Sequence, residues 1–250
     1  MATSTRRIGV VGLNYWGPNL VRNFDDLCDL AWLCDLDTER LETLAARYPH
    51  ARATSSLDEL LADETLDAVV VATPVPTHFA LAKQVLEAGK HVFVEKPPAM
   101  RAVEMDELVA IAEAKDRVLM PGHLLLYHPG VLKLKELVSS GALGEVLCIY
   151  GNRQNLGVVR VEENALWSLG VHDLSVILYL LDEDPETAVA HGRDFLTPGV
   201  EDVVFCYLRF RRGRSRTCTC PGSTRTRCGR SPSSGRRRWS CSTTWSRSAR

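Results

Sequence analysis

An apolar stretch at residues 8–11 runs into Gly12-Leu13-Asn14-Tyr15-Trp16-Gly17. The spacing is that of the GxGxxG dinucleotide fingerprint, with Asn14 in the middle glycine's place. Gly12 permits a tight turn, Gly17 lets a helix pack close to the strand, and amides at that helix's start can face a pyrophosphate. Asn14 tolerates a positive φ better than most residues, but its side chain takes space where backbone meets phosphate. Tyr15 and Trp16 lie in the same loop as candidate cofactor contacts. The hexapeptide alone is also compatible with a plain turn. Asp35, twenty-three residues after Gly12 at the end of a second apolar stretch, strengthens it. A carboxylate there accepts adenosine ribose hydroxyls and repels a 2′-phosphate, so NAD is the expected cofactor ahead of NADP. Asp37 reads as a solvated neighbour.

These residues need strands to carry them. Strand patterns are expected near 8–13, 30–35, 68–72, 91–95 and 118–120. Helical spacing is expected from 18, over 38–48, after Ser56 (a cap, with Glu59 at the capping-box position), over 77–88 and over 102–114. Alternating strand and helix predicts a parallel sheet covered on both faces, with ligands at the carboxyl ends of its strands. The expected fold is therefore α/β: an N-terminal Rossmann dinucleotide-binding domain at 1–122, then a truncated α+β domain at 123–210 with an open, mostly antiparallel sheet.

A more specific string begins at the third of these strands. Ala72-Thr73-Pro74, His78 and Gly89-Lys90-His91-Val92-Phe93-Val94-Glu95-Lys96-Pro97 resemble the Gfo/Idh/MocA oxidoreductase family over roughly residues 6–210. The resemblance implies NAD-dependent oxidation of a sugar alcohol, with Lys96 between nicotinamide and substrate. A partly desolvated ammonium near a cationic ring should have a lowered pKa and can relay a hydroxyl proton. Thr73, Pro74, His78, Glu95, Lys96 and Pro97 are then cofactor-side residues, with a packing role for His78 equally open. Pro97 is a candidate for a cis bond.

In the second part, a helix is expected over 129–140, a strand over 146–150, an apolar helix over 170–181 and a last strand over 203–210. Tyr127-His128-Pro129, the 152–157 stretch with Arg153 and Asn155, and 162–167 ending in Trp167 resemble the branch of the family that includes UDP-N-acetylglucosamine 3-dehydrogenase-like enzymes. The resemblance implies substrate contacts at Tyr127, Arg153, Asn155 and Trp167, with Asp173 as substrate contact or helix cap. His172 matches the family's active-site histidine. Placed at a helix start, it would be disfavoured as imidazolium and suited to act as a neutral base. Many family members carry an aspartate four residues earlier, where this chain has Ser168. Inositol, other polyols and deoxysugars are the alternative substrates.

Composition excludes a disordered or collagen-like chain: 45% of residues are apolar and 24% charged. No apolar run is long enough to span a membrane and no signal peptide is evident, so a cytoplasmic protein is expected. The resemblance implies a homodimer or homotetramer. Cys28, Cys34, Cys148 and Cys206 are scattered and read as buried thiols, with no metal site expected.

The net charge of −1 hides two unlike parts. Residues 1–210 hold eighteen basic and all thirty-one acidic residues (−13), whereas 211–250 hold twelve arginines and no acid (+12). From 211 onward there is no Leu, Ile, Val, Met or Phe, which leaves little with which to build a core. Read one base earlier, Cys218 to Gly222 admit Leu-His-Leu-Ser-Trp. From Trp239 the shifted frame admits Val-Val-Phe-Asp-Asp-Leu-Glu-Pro-Glu-Arg. A frameshift near codons 210–213 is therefore expected, leaving a disordered tail and a sheet cut short. Two other classes remain: a catalytically impaired remnant, and a redox-sensing regulator whose basic tail, with Trp239 and Trp245, binds nucleic acid.

Overall fold

The structure is a computed structural model that describes residues 6–154 and 163–211, together with the backbone of 216–220. It divides into two units, Met1–Gly122 and His123–Arg250.

In the first unit the strands are β1 (Arg7–Val11), β2 (Asp29–Cys34), β3 (Arg52–Thr54), β4 (Ala68–Val71), β5 (His91–Val94) and β6 (Leu119–Pro121). The helices are α1 (Gly17–Leu27), α2 (Thr38–Ala45), α3 (Leu57–Leu61), α4 (His78–Glu87) and α5 (Ala102–Ala114). The sheet is parallel throughout, in the order β3-β2-β1-β4-β5-β6. The chain winds one way from β1 and the other way from β4, so the switch point lies between those two strands. Alternation along the strands sorts the core onto two faces. Val69 and Val71 pack with Val85, Leu86 and Leu108 from α4 and α5, while Val70 packs with Val21, Leu41 and Leu44 from α1 and α2. Ser56 caps α3 by accepting from Glu59 N, as expected. Asp37, read as solvated, instead caps α2, accepting a hydrogen bond from Arg40 N at 3.0 Å. The 52–54 strand was not expected: Arg-Ala-Thr carries too short a pattern to announce itself.

In the second unit, α6 (Pro129–Ser139), β7 (Cys148–Asn152), α7 (Val171–Leu181), β8 (Thr187–Arg193), β9 (Val203–Arg209) and β10 (Arg216–Cys220) follow. The sheet order is β7-β10-β9-β8, with β10 parallel to β7 and the other two pairings antiparallel. Ile177 and Leu181 of α7 pack on Leu208 and Phe210. Two expectations are corrected here. The sheet does not end with β9: β10 lies between β7 and β9, so the arginine-rich tail supplies an interior strand at 216–220. The remaining tail positions, Cys228, Trp239, Cys241 and Trp245 among them, lie outside the described residues, as does Asn155. Cys148, expected to be buried, is exposed, whereas Cys34 and Cys206 are buried. Among the described residues no helix is long and apolar enough to cross a membrane.

Candidate active site

Because the six strands run parallel, every expected functional position of the first unit falls on one edge, the carboxyl ends of β2, β1, β4, β5 and β6. The ladder continues past each strand. Gly12 N donates to Cys34 O (2.9 Å), Ala72 N to Val11 O (2.8 Å), Glu95 N to Val71 O (2.9 Å) and Gly122 N to Val94 O (2.8 Å). These bonds fix the loops against one another before any ligand arrives.

The fingerprint loop is built as its glycines require. Gly12 has φ +90°, and a Cβ there would lie 2.6 Å from the backbone of Ala72 and Thr73. A Cβ on Gly17 would collide with Gly12 O. Asn14 corrects an expectation: it is not among the residues with positive φ, it is exposed, and its carbonyl accepts from Gly17 N at 2.7 Å. No glycine is needed at this middle position. Helix α1 opens without a side-chain cap, so its positive dipole end suits an anion, although Gly17 N and Asn19 N are bonded to Asn14 O and Trp16 O and Pro18 carries no N–H. Tyr15 and Trp16 are exposed beside it. This turn, with no room for a Cβ at Gly12 or Gly17 and set at the positive end of α1, fits a dinucleotide pyrophosphate.

Asp35 does more than wait for a ribose. One carboxylate oxygen accepts from Leu13 N at 2.6 Å and the other from Asp37 N at 2.9 Å, so it also braces the fingerprint turn. Arg40, which sequence reasoning missed, lies 3.4 Å from Asp35 Oδ2 and 2.9 Å from Asp37 Oδ2. Cys34, just before it, has its thiol pushed up to about 11 by burial and by the neighbouring Asp35 and Glu59 carboxylates, which leaves it inert.

At the ends of β4 and β5 the structure gives His78 a packing role. The ring is 1% exposed, with Nε2 2.7 Å from Thr73 O and Nδ1 2.8 Å from Pro97 O. Both nitrogens face backbone, so His78 ties the Thr73 loop to the turn after Lys96, the packing role left open for it. Thr73 Oγ1 accepts from Thr77 Oγ1 at 2.7 Å, and Pro74 is exposed in the same loop. The Lys96–Pro97 bond is cis and Lys96 is half-buried. The other lysine of the string, Lys90, precedes β5 and so lies at the opposite end of the sheet. It is 5% exposed and donates to Asp63 O (2.6 Å) and Leu66 O (3.1 Å), a structural role.

Glu95 points its carboxylate at Gly122, where a Cβ would lie 3.2 Å from both oxygens, and accepts from Lys96 N at 3.3 Å. Burial raises its pKa, with partial relief from the Lys96 amide and ammonium. A carboxyl whose pKa is raised by folding favours the native state below its unfolded pKa, and that contribution is lost as pH rises through the folded value. Glu95→Gln should therefore have a melting temperature close to wild type at pH 4 and above it at pH 7. Differential scanning calorimetry at the two pH values checks this.

In the second unit, Arg153 and Asp173 meet: Arg153 Nε and Nη2 donate to Asp173 Oδ1 at 3.0 and 2.8 Å. The Asp173 side chain is 12% exposed, and its Oδ2 is buried without a hydrogen-bond partner among the described residues. The expected position of His172 at a helix start is corrected. A π-helical segment, Leu166–Gly170, runs directly into α7, so helical backbone precedes His172 by about two turns. The dipole effect fades within one turn and cannot govern this ring, nor can Asp173 be a cap. Trp167 lies in the π segment, its amide donating to Asn164 Oδ1 at 3.1 Å, and Asn164 Nδ2 in turn donates to Glu201 (2.7 Å). Ser168 is buried in the same segment, and Tyr127 is exposed at the end of a short 3₁₀ turn, Leu124–Tyr127. Among the described residues no cluster of three His, Cys, Asp or Glu side chains could hold a metal.

Comparison with known proteins agrees with this architecture. Residues 6–123 match the NAD-binding Rossmann-fold model of the Gfo/Idh/MocA oxidoreductase family, and residues 131–237 match a C-terminal domain model of the same family. The chain is 32% identical over 190 residues to UDP-N-acetylglucosamine 3-dehydrogenase of Acidithiobacillus ferrooxidans, covering 74% of this chain and 58% of that protein. It is 30% identical over 224 residues to 2,7-anhydro-N-acetylneuraminate hydratase of Escherichia coli, covering 84% and 60%. The crystal structure of GenD2 from gentamicin A biosynthesis in complex with NAD superposes with a TM-score of 0.81 at 29% identity, covering 89% of this chain and 68% of that one. The chain thus spans about 60% of the length of these two curated relatives. A parallel sheet with its fingerprint glycines at the switch point, and two domain models that together take in residues 6–123 and 131–237, lead to one assignment: the chain belongs to the Gfo/Idh/MocA oxidoreductase family.

Proposed function

We propose that this chain is an NAD-dependent dehydrogenase acting on a secondary alcohol of a sugar, with a UDP-amino sugar oxidised at C3 as its substrate class. The observation that carries the reading is the carboxyl edge of the parallel sheet, where the Gly12–Gly17 turn, Asp35 and Lys96 follow the ends of β1, β2 and β5. The nucleotide-sugar part draws its support from the similarity to a UDP-N-acetylglucosamine 3-dehydrogenase.

Bound NAD supplies a nicotinamide carbon able to accept hydride. The protein's own groups do the rest. The fingerprint amides and the start of α1 hold the pyrophosphate, and Asp35 takes the ribose hydroxyls. Lys96 is assigned to orient the substrate hydroxyl, and the family resemblance is what supports His172 as the proton-accepting base. Arg153, steadied by Asp173, and the buried Asp173 Oδ2 offer donors and an acceptor to the sugar nucleotide, with Tyr127 and Trp167 supplying flat apolar contact. Self-association is part of the same reading. On the sheet of the second unit, Val189 pairs across from Tyr207 and His191 from Phe205, and Val189 and Phe205 are exposed.

A further element is that residues beyond about 211 are read one base out of frame. Its support is the position of β10, an interior strand written Arg-Thr-Cys-Thr-Cys without an aliphatic residue, where the shifted frame admits Leu-His-Leu. Sequencing independent DNA across codons 205–255 tests it, and an intact single frame would end it.

The function is tested by incubating the chain with NAD and a panel of UDP-N-acetylglucosamine, inositol and deoxysugars while following NADH absorbance. NADH formed with the UDP-amino sugar supports the reading. NADH formed only with inositol or a deoxysugar reassigns the substrate, and none with any sugar rejects the activity.

A further inference from the structure

We propose that the amino edge of the parallel sheet, opposite the proposed dinucleotide edge, holds a second site that binds a phosphate group. The site stands apart from the dehydrogenase chemistry and does not depend on it.

Four adjacent strands, β1, β4, β5 and β6, begin at that edge, and a charged residue stands one or two positions before each: Arg6, Asp67, Lys90 and Arg117. Ladder bonds hold these positions in register, with His91 N donating to Asp67 O (3.0 Å) and Val92 N to Val118 O (2.9 Å). The four charged residues line a cavity of about 430 Å³, together with His91 and Glu64. Its lining sets three cations against two carboxylates, a cationic surplus in a chain whose first 210 residues are acidic overall.

The protein does not use up the donors. Lys90 is 5% exposed and donates to Asp63 O and Leu66 O, which accounts for two of its three ammonium protons. Arg117 donates through Nε to Gly89 O and through Nη1 to Asp116 O, leaving Nη2 without a partner among the described residues. His91 Nδ1 accepts the Val118 N–H at 2.9 Å, so the neutral ring carries its own proton on Nε2. The acids are better satisfied. Asp67 accepts from Arg6 through one oxygen and from Arg7 N through the other. Asp63, a third acid near Lys90, gives its carboxylate to Trp32 and Thr65. Glu64 is exposed.

The remaining N–H groups of Lys90, His91 and Arg117 come from the starts of two neighbouring strands, β5 and β6. They call for an anion with several acceptor oxygens. A carboxylate has two oxygens for three donors, whereas a phosphate has enough for all. A metal ion does not suit the lining, since among the described residues no cluster of three His, Cys, Asp or Glu side chains could hold one.

The test is titration calorimetry of the full 250-residue chain with inorganic phosphate and with glycerol 3-phosphate, at saturating NAD and constant ionic strength. NAD is there to fill the fingerprint turn, and the variants locate the second site whether or not NAD binds. Saturable binding with a dissociation constant below about 10 mM is expected. Binding of the free ion, of the ester or of both supports the site and names its source. Arg117→Gln removes a charge and a donor and should weaken binding at least about tenfold, the scale of one charge-assisted hydrogen bond. Glu64→Gln removes an exposed carboxylate that opposes the anion and should tighten binding about two- to fivefold. Glu64 lies on the surface, so this gain can be read even if Arg117→Gln does not fold. Two results overturn the proposal: no saturable binding of either probe, and binding that the folded variants leave unchanged. Neither result touches the dehydrogenase reading, which the NADH assay tests separately.

Discussion

Lys96→Ala and His172→Ala should each lower turnover by about two to four orders of magnitude, the range supplied by a positioned acid–base group, while NAD still binds. The two substitutions differ in what surrounds them. Lys96 follows β5 in a turn whose neighbouring carbonyls, Thr73 O and Pro97 O, are both bridged by the buried His78 ring. Its removal takes away a side chain and leaves that brace in place. His172 sits inside continuous helical backbone, where alanine is the best helix former. Neither change should disturb folding, so a lost rate with normal NAD affinity and melting temperature assigns chemistry. Full turnover in both variants would remove the assignment, and lost NAD binding in Lys96→Ala would make that lysine a cofactor ligand instead of a proton-handling group. Steady-state kinetics paired with calorimetric NAD titration separates these outcomes.

The second large effect is expected at Gly17. Its missing side chain faces Gly12 O, so Gly17→Ala must push α1 away from the first strand or twist the turn between them. Either movement displaces the turn proposed to hold pyrophosphate. NAD affinity should fall by at least about tenfold, the scale of one lost charge-assisted hydrogen bond. Strain of roughly 1–3 kcal/mol should lower the melting temperature by about 2–4 °C per kcal/mol in a chain of this size. Asn14→Gly is the contrast. Asn14 is exposed and not at positive φ, so restoring the third glycine should change NAD affinity by less than about threefold, under 1 kcal/mol. Equal losses at Gly17 and Asn14 would mean that the loop is held in some other way.

Much of the first unit was legible because its signals are local. Buried parallel strands read as apolar runs, and their ends carry the chemistry, so Gly12, Asp35 and Lys96 could be placed on one edge before any coordinates. What escaped depends on distance or on backbone. The sequence leaves His78 open between packing and cofactor contact, and its two partners, carbonyls five and nineteen residues away, supply the packing role. Arg40 gave no motif, and its pairing with Asp35 and Asp37 follows from where the Asp37 cap turns it. The π-helical segment before His172 has no compositional mark, and it removed a dipole argument that rested on a misplaced helix start. In the second unit, β8 (Thr-Ala-Val-Ala-His-Gly-Arg) is exposed along its whole length, so no buried alternation announced it. Strand β10 lies in the arginine-rich tail, where composition spoke against any element, yet pairing on both sides places it inside the sheet.

The central claim is that this chain moves hydride from a sugar alcohol to NAD. The most direct measurement uses UDP-N-acetylglucosamine deuterated at C3, incubated with the full chain and NAD, followed by mass spectrometry of the reduced cofactor. Deuterium is predicted in the NADH, with none transferred by Lys96→Ala on the same timescale. NAD bound to the folded chain but left oxidised by this and every other sugar alcohol tried would contradict the account.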